Sequence, residues 1–198
     1  MTAGILLAAG QSRRFGGDKQ RAVFQGRTLL ARSAQLLTDS HFAPRIVVLS
    51  GQDALLERRH RDALADLDVQ IAVNPTPGRG MSSSIRIGLQ AALRHAVSPK
   101  VPGAIITVCD QVFCTAAHLR ALESTALTTG AEIVASGYSD IAGVPAYFAS
   151  SMFAELESLE GDRGAAFLIR AYRERCRVVP FPPGSVDVDT ANDLKSLR

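Results

Sequence analysis

The chain has 198 residues, of which 46% are hydrophobic and 21% charged, and its net charge is +3 at neutral pH. This is the composition of an ordinary globular protein with ample material for a core, organised as one domain over 1–198. No apolar run approaches the roughly 20 residues of a membrane span, and no Lys/Arg stripe with interleaved aromatics marks a nucleic-acid face.

The opening apolar run at 5–9 is too short for a signal peptide and stops at Gly10, so a cytoplasmic location is expected. The three cysteines, Cys109, Cys114 and Cys176, form no C-x-x-C pattern and have no clustered His, which argues against a zinc site or a disulfide framework. Cys109 reads as a small core residue. Cys114 reads as partly accessible, with no base to make it a nucleophile.

Residues 5–9 suit a strand buried on both faces in a parallel sheet. The following loop holds Gly10, Gly16 and Gly17 with Arg13, Arg14 and Lys19; residues 1–27 carry five cations against one anion, Asp18. Glycines let backbone N–H groups converge on an anion, and the cations match a polyphosphate. The competing reading is a solvated basic turn, and neither a Walker pattern nor G-x-G-x-x-G is present.

Residues 28–37 read as a helix capped by Thr28, with Leu30, Ala34 and Leu37 on its inner face. Residues 45–50 form a second strand. A polar helix follows, in which the run 57–62 reads as a solvated face and His60 as surface decoration. Residues 69–73 are a third strand. Residues 74–80, with two prolines and two glycines, are expected to hold no regular structure. Met81-Ser-Ser-Ser84 opens a helix extending to about Ala96, the serines serving as caps. Its N-terminus faces the sheet's carboxyl edge, which suits a second anion or ribose site or capping alone.

Residues 104–108 are a fourth strand ending at Asp110-Gln111. An acidic residue there would hold a hard cation such as magnesium beside a phosphate loop, or cap the next helix near Thr115. Strands are expected at 131–136 and 144–148 around a turn at 138–143, helices at 150–159 and 164–173, and a last strand at 177–181. Asp187 and Asp189, two apart on an extended segment, face one side before a short final helix. The alternation predicts a three-layer, Rossmann-like α/β sandwich whose mainly parallel sheet carries one antiparallel strand in its second half. Catalysis is expected at the carboxyl ends of the strands at 5–9, 69–73 and 104–108.

The motifs taken together are more specific than any of these spacings. The stretch from Leu7 to Lys19 resembles the nucleotidyltransferase signature LAAG-x-S-x-R-(M/F)-G-x-x-K. The segment 74–88 resembles N-P…G-(M/L)-x-S-S…G, and Asp110-Gln111 resembles a D-Q-P metal site. Gly143-Val-Pro145, Gly161-Asp-Arg-Gly164 and Asp187-Val-Asp-Thr190 resemble G-x-P, G-D-x-G and D-(I/V)-D-T. The whole is similar to the molybdenum cofactor cytidylyltransferases, of the molybdopterin nucleotidyltransferase superfamily, nearly end to end. Ala8-Ala9, G-D-x-G and D-V-D-T lean to the cytidylyl over the guanylyl branch. Val112 stands where that family usually has Pro, and Thr76 where an aromatic is frequent.

The resemblance implies a nucleotide-diphospho-sugar-transferase-like fold and transfer of CMP from CTP to the terminal phosphate of molybdopterin, with release of pyrophosphate. It implies nucleotide contacts from Leu7, Ala8, Ala9, Gly10, Ser12, Arg14, Lys19, Asn74, Gly80, Met81, Ser82, Ser83 and Ser84. Arg14, Lys19 and Asp110 would be catalytic, with Mg2+ on Asp110 and Asp189. Gln111, Gly143, Pro145, Asp162 and Asp187 would meet the acceptor, and a molybdoenzyme or its chaperone would be a partner. Guanylyl, adenylyl or uridylyl transfer to another phosphorylated molecule is the nearest alternative, and a non-catalytic nucleotide-binding delivery protein is the other. A Rossmann dehydrogenase is disfavoured by the missing glycine fingerprint.

Overall fold

The computed structural model describes residues 1–12, 14–96 and 101–197; the cation assigned to Arg13 lies outside them. The chain runs β1 (Ala3–Leu7), a small hairpin of β2 (Val23–Phe24) and β3 (Arg27–Thr28), α1 (Leu29–Asp39), β4 (Arg45–Ser50) and α2 (Ala54–Asp62). It continues through β5 (Gln70–Asn74), α3 (Met81–Arg94), β6 (Gly103–Val108) and α4 (Ala116–Thr129). The second half holds β7 (Ile133–Tyr138), β8 (Ile141–Ala149), α5 (Phe153–Glu157), α6 (Ala165–Ala171), β9 (Cys176–Pro180) and α7 (Ala191–Ser196).

Seven strands form one sheet in the order β5-β4-β1-β6-β8-β7-β9. Only β8 runs against its neighbours, pairing antiparallel with β6 and β7, so the expected mainly parallel sandwich with one antiparallel strand is what forms. Strand alternation builds two layers of core. Ile5, Ile46, Val48 and Ile106 pack with Ile85 and Leu89 of α3 on one face. Leu6, Val47, Leu49 and Ile105 pack with Leu30 and Leu37 of α1 and Leu119 of α4 on the other. Gly88 lets α3 approach closely: a Cβ there would lie 2.6 Å from the Ile5 side chain. A third cluster, Phe24, Leu29, Val112, Val188 and Leu194, fastens the hairpin and α7 to the carboxyl edge.

From β1 the sheet grows outward through β4 and β5, then resumes on the other side of β1 with β6. The loops after β1 and β6 therefore diverge and leave a crevice, the usual ligand position in open α/β sheets.

Several boundaries differ from the sequence expectation. The first strand ends at Leu7, which moves Ala8 and Ala9 into the loop. The 74–80 segment contains a 3₁₀ turn, Pro77–Arg79, because Pro suits the first turn of a short helix. The 138–143 turn shrinks to Ser139-Asp140, both at positive φ (46° and 60°), which is the geometry of a tight two-residue hairpin. The helices expected at 150–159 and 164–173 form only over Phe153–Glu157 and Ala165–Ala171, with a 3₁₀ turn at Ser150–Met152. Cys114 is buried, and burial pushes its thiol up to about 12. Burial also raises the Cys109 thiol, helped by the adjacent Asp110 charge, so neither is a thiolate nucleophile.

Candidate active site

The crevice between the loops after β1 and β6 has a volume of about 520 Å³. Its β1 wall runs from Leu7 to Ser12 with Arg14, Lys19 and Gln20, its β6 wall is Val108, Cys109 and Asp110, and Pro77, Gly78, Gly80, Met81, Ser84, Asp162 and Asp189 complete it. Residues from across the chain are thus brought together in one crevice. Among the described residues, and leaving aside its chain neighbours, none comes within 4 Å of a Cβ built on Gly10, so packing against them does not demand glycine there.

Lys19 is the hub. Its Nζ donates to Asp110 Oδ2 at 2.9 Å and lies 3.5 Å from Asp189 Oδ1, while Arg14 Nη1 is 2.9 Å from Asp189 Oδ2. The Lys19 side chain is 14% exposed and that of Arg14 is 78% exposed. One cation is therefore fixed in the crevice floor and the other is free to swing onto a ligand at little cost.

Local structure explains this placement. Val188 N–H donates to Asp110 O at 3.0 Å, and the buried Val188 side chain anchors the third cluster, so Asp189 is carried to the mouth of β6. Beyond it, Thr190 Oγ1 accepts from Asp193 N while Asp193 Oδ2 accepts from the amides of Asp189 and Thr190, a capping box that starts α7. Val112 N–H donates to Asp110 O at 3.1 Å, a bond that the family's usual proline cannot make. Burial raises the Asp187 carboxyl above its ordinary range, and the nearby Asp110 and Asp189 charges push the same way.

Other expected contacts stand behind the crevice wall. Asn74 is fully buried; its Nδ2 donates to Ser83 Oγ and Ser84 Oγ, and its Oδ1 accepts from Thr76 N. It shapes the loop before α3 and does not project from it. The serines do not cap α3 as expected. Its N-cap is Gly80, Ser83 Oγ donates to Gly80 O, and Ser82 donates to Gly161 O through both its N–H (3.2 Å) and Oγ (2.7 Å). The Gly161–Gly164 turn is thereby clasped onto the start of α3. A Cβ on Gly80 would fall 2.2 Å from Gly161 O and one on Gly164 2.4 Å from Met81 Sδ.

Gln111 and Gly143 form a separate group around Tyr138, and Pro145 follows on β8, its carbonyl accepting from Ser136 Oγ. Gln111 Nε2 donates to the Tyr138 hydroxyl, which donates to Val144 O. A Cβ on Gly143 would lie 2.4 Å from that hydroxyl oxygen. Val144, between them, faces a second cavity of about 580 Å³ lined by Leu7, Ile106, Val108, Ala165 and Phe167 with Arg163 and Arg170. That cavity shares Leu7, Met81, Val108 and Asp162 with the crevice.

Sequence reasoning passed over two residues. Gln20 is buried; its Nε2 donates to Ala8 O and Gly10 O at 3.0 and 2.9 Å, and its Oε1 accepts from Ser12 Oγ at 3.0 Å. Its position directly after Lys19 is the sole signal the sequence offers. His60, expected on the surface, is 2% exposed and bonded to Asp18. The rest of its helix is solvated, but its ring turns inward under the phosphate-loop residues.

Crevice, cation-rich loop and switch-point sheet together define a nucleotidyltransferase. The profile of the MobA-like NTP transferase domain matches residues 4–176, and the chain belongs to that family. It is 28% identical over 203 residues to the purine catabolism protein PucB of Bacillus subtilis, covering 98% of this chain and 95% of that one. It is 32% identical over 125 residues to a probable molybdenum cofactor guanylyltransferase of Chloroflexus aggregans, covering 62% and 52% of the two chains. The crystal structure of Rv0371c from Mycobacterium tuberculosis superposes with a TM-score of 0.82 at 28% identity, covering 100% of this chain and 97% of that one. The complex of Rv0371c with manganese superposes at 0.78 with 26% identity, covering 99% and 97%.

Proposed function

We propose that this nucleotidyltransferase moves CMP from CTP to the terminal phosphate of a molybdopterin-type acceptor and releases pyrophosphate. The observation that carries the reading is the interleaving of Lys19 and Arg14 with Asp110 and Asp189 in the crevice floor. Two hard carboxylates fit a divalent cation, and the Lys19 ammonium bridging them is a positive stand-in at that position. Asp110 and Asp189 would hold Mg2+, which when bound supplies Lewis-acid polarisation of the α-phosphoryl group. The manganese complex of Rv0371c supports the divalent-metal part of the reading.

In the transfer, an oxygen of the acceptor's phosphate forms a bond to the α-phosphorus and the bond to the bridging β-oxygen breaks, its electrons leaving with pyrophosphate. No protein nucleophile takes part; the chain positions the partners and stabilises charge. Lys19 and Arg14 neutralise the β- and γ-phosphates as negative charge builds on the leaving group. The backbone at Ala8, Ala9 and Gly10 lies under the nucleotide. The second cavity, apolar with Arg163 and Arg170 set beside Glu160 and Asp162, suits the flat body of the acceptor, its arginines meeting the acceptor's anionic groups, while Asp187 stands near Asp110 and Asp189.

The second reading, guanylyl transfer, is favoured by the guanylyltransferase relative. Calorimetric titration with CTP, GTP, ATP and UTP, each with magnesium, separates the two. Tightest binding of CTP is expected; tightest binding of GTP moves the assignment to guanylyl transfer, and no binding by folded protein overturns nucleotidyl transfer.

A further inference from the structure

His60 is a buried titratable group that the transfer chemistry leaves unused. It is the one residue of α2 that turns fully inward, with 2% exposure. Its Nε2 lies 3.0 and 3.1 Å from the two carboxylate oxygens of Asp18. A carboxylate only accepts, so Nε2 carries the proton and donates to Asp18. The other ring nitrogen, Nδ1, is buried without a partner among the described residues, a cost that an apolar space-filling side chain would not incur.

Asp18 occupies the N-cap position of the 3₁₀ turn Lys19–Arg21, yet its side chain makes no cap bond. The carboxylate is turned to His60 instead. Asp18 directly precedes Lys19, whose ammonium reaches Asp110 at 2.9 Å. Glycines make this loop intrinsically loose, with Gly16 at φ 73° and Gly17 beside it. Gln20 fastens the first half through Ala8, Gly10 and Ser12. The His60–Asp18 bond fastens the second half, across 42 residues of sequence.

We infer that His60 is a positioning residue, which acts through Asp18 to hold Lys19 in place for the β- and γ-phosphates. The inference rests on the nucleotidyl-transfer reading for its functional consequence, whereas the ordering of the loop does not depend on it. Because Lys19 would face the β- and γ-phosphates, losing the clamp weakens triphosphate binding and spares monophosphate binding.

The test compares full-length wild type, His60→Ala, His60→Gln, Asp18→Ala and the double variant. Hydrogen–deuterium exchange of unliganded protein reads the loop, and calorimetry with magnesium reads CTP against CMP. Exchange across 11–22 is expected to rise in His60→Ala, and CTP affinity to fall about tenfold with CMP affinity unchanged. Glutamine places an N–H near the Nε2 position and should restore much of both. The two alanine changes should not add, because they break one bond. Unchanged exchange in the loop, an equal loss for CTP and CMP, or additive losses overturns the inference. Failure of wild type to bind any nucleotide overturns the proposed function, while the exchange comparison still decides whether His60 orders the loop.

Discussion

Lys19→Met is the most informative perturbation, because the proposed roles of Lys19 pull in opposite directions. In the unliganded protein its ammonium lies 2.9 Å from Asp110 and 3.5 Å from Asp189, the carboxylates assigned to the metal. A divalent cation arriving there meets a like charge and must displace it. A unit charge and a divalent ion 4 Å apart repel by about 2 kcal/mol in water and about 8 kcal/mol at an effective dielectric of 20. The carboxylate side chains are 27% and 37% exposed, so screening keeps the effect near the lower figure. Replacing Lys19 by the apolar Met should therefore tighten divalent-metal binding about thirtyfold, or ~2 kcal/mol. Titration with Mn2+, followed by the electron paramagnetic resonance of the free ion, measures this directly. The same variant should bind magnesium–CTP more weakly, since the contact to the β/γ-phosphates is gone. Mn2+ binding that is unchanged or weaker in Lys19→Met would refute the reasoning, because Lys19 would then not be occupying the metal's position.

Asp110→Asn should lower turnover about 10²- to 10³-fold, the usual effect of losing one charge-stabilising group, with the circular dichroism spectrum unchanged; turnover within threefold of wild type removes Asp110 from the site. Gly10→Ala should leave the urea midpoint unaltered, since its Cβ meets nothing among the described residues beyond its chain neighbours, yet weaken CTP binding, as a titration of the variant will show. Gly80→Ala should cost about 2 kcal/mol or more in urea unfolding, because φ is 95° and the new Cβ strikes Gly161 O. Burial holds the His118 imidazole below its ordinary value of 6.5. The folded state therefore favours the neutral ring, and the stability it contributes is full above pH about 6.5 and is lost as pH falls through the lower folded value. Melting temperatures between pH 7 and 5 should fall more steeply in wild type than in His118→Gln, and parallel curves would exclude this contribution.

The sequence made the sheet legible wherever burial wrote it as an apolar run, as at 45–50, where the expected and observed strands coincide. The loop that follows β1 and lines the crevice was legible for a chemical reason, the meeting of glycines and cations at a strand end. What escaped was set by partners distant in sequence. His60 sits among Glu57, Arg58, Arg59 and Arg61, so its helix pattern reads as solvated, and only the folded loop reveals Asp18 beside it. The serines of α3 looked like caps because nothing local announces that Gly161 arrives to accept from Ser82. The hairpin β2–β3 went unseen because two-residue strands carry no period, although Gln25 and Gly26, with φ of 50° and 80°, have the geometry of a tight turn.

The pairing of Asp189 with Arg14 joins one of the earliest-made segments of the chain to one of the latest, and the bond from Val188 to Asp110 ties that late segment to the middle of the chain. The family match ends at residue 176, before either of these later residues. During synthesis the first strands, with local helices between them, are free to assemble long before residues 186–196 emerge. The nascent protein would then own the glycine- and cation-bearing loop without Asp189, a crevice still lacking one wall. That wall arrives late, when Val188 and α7 pack against Phe24 and Leu29.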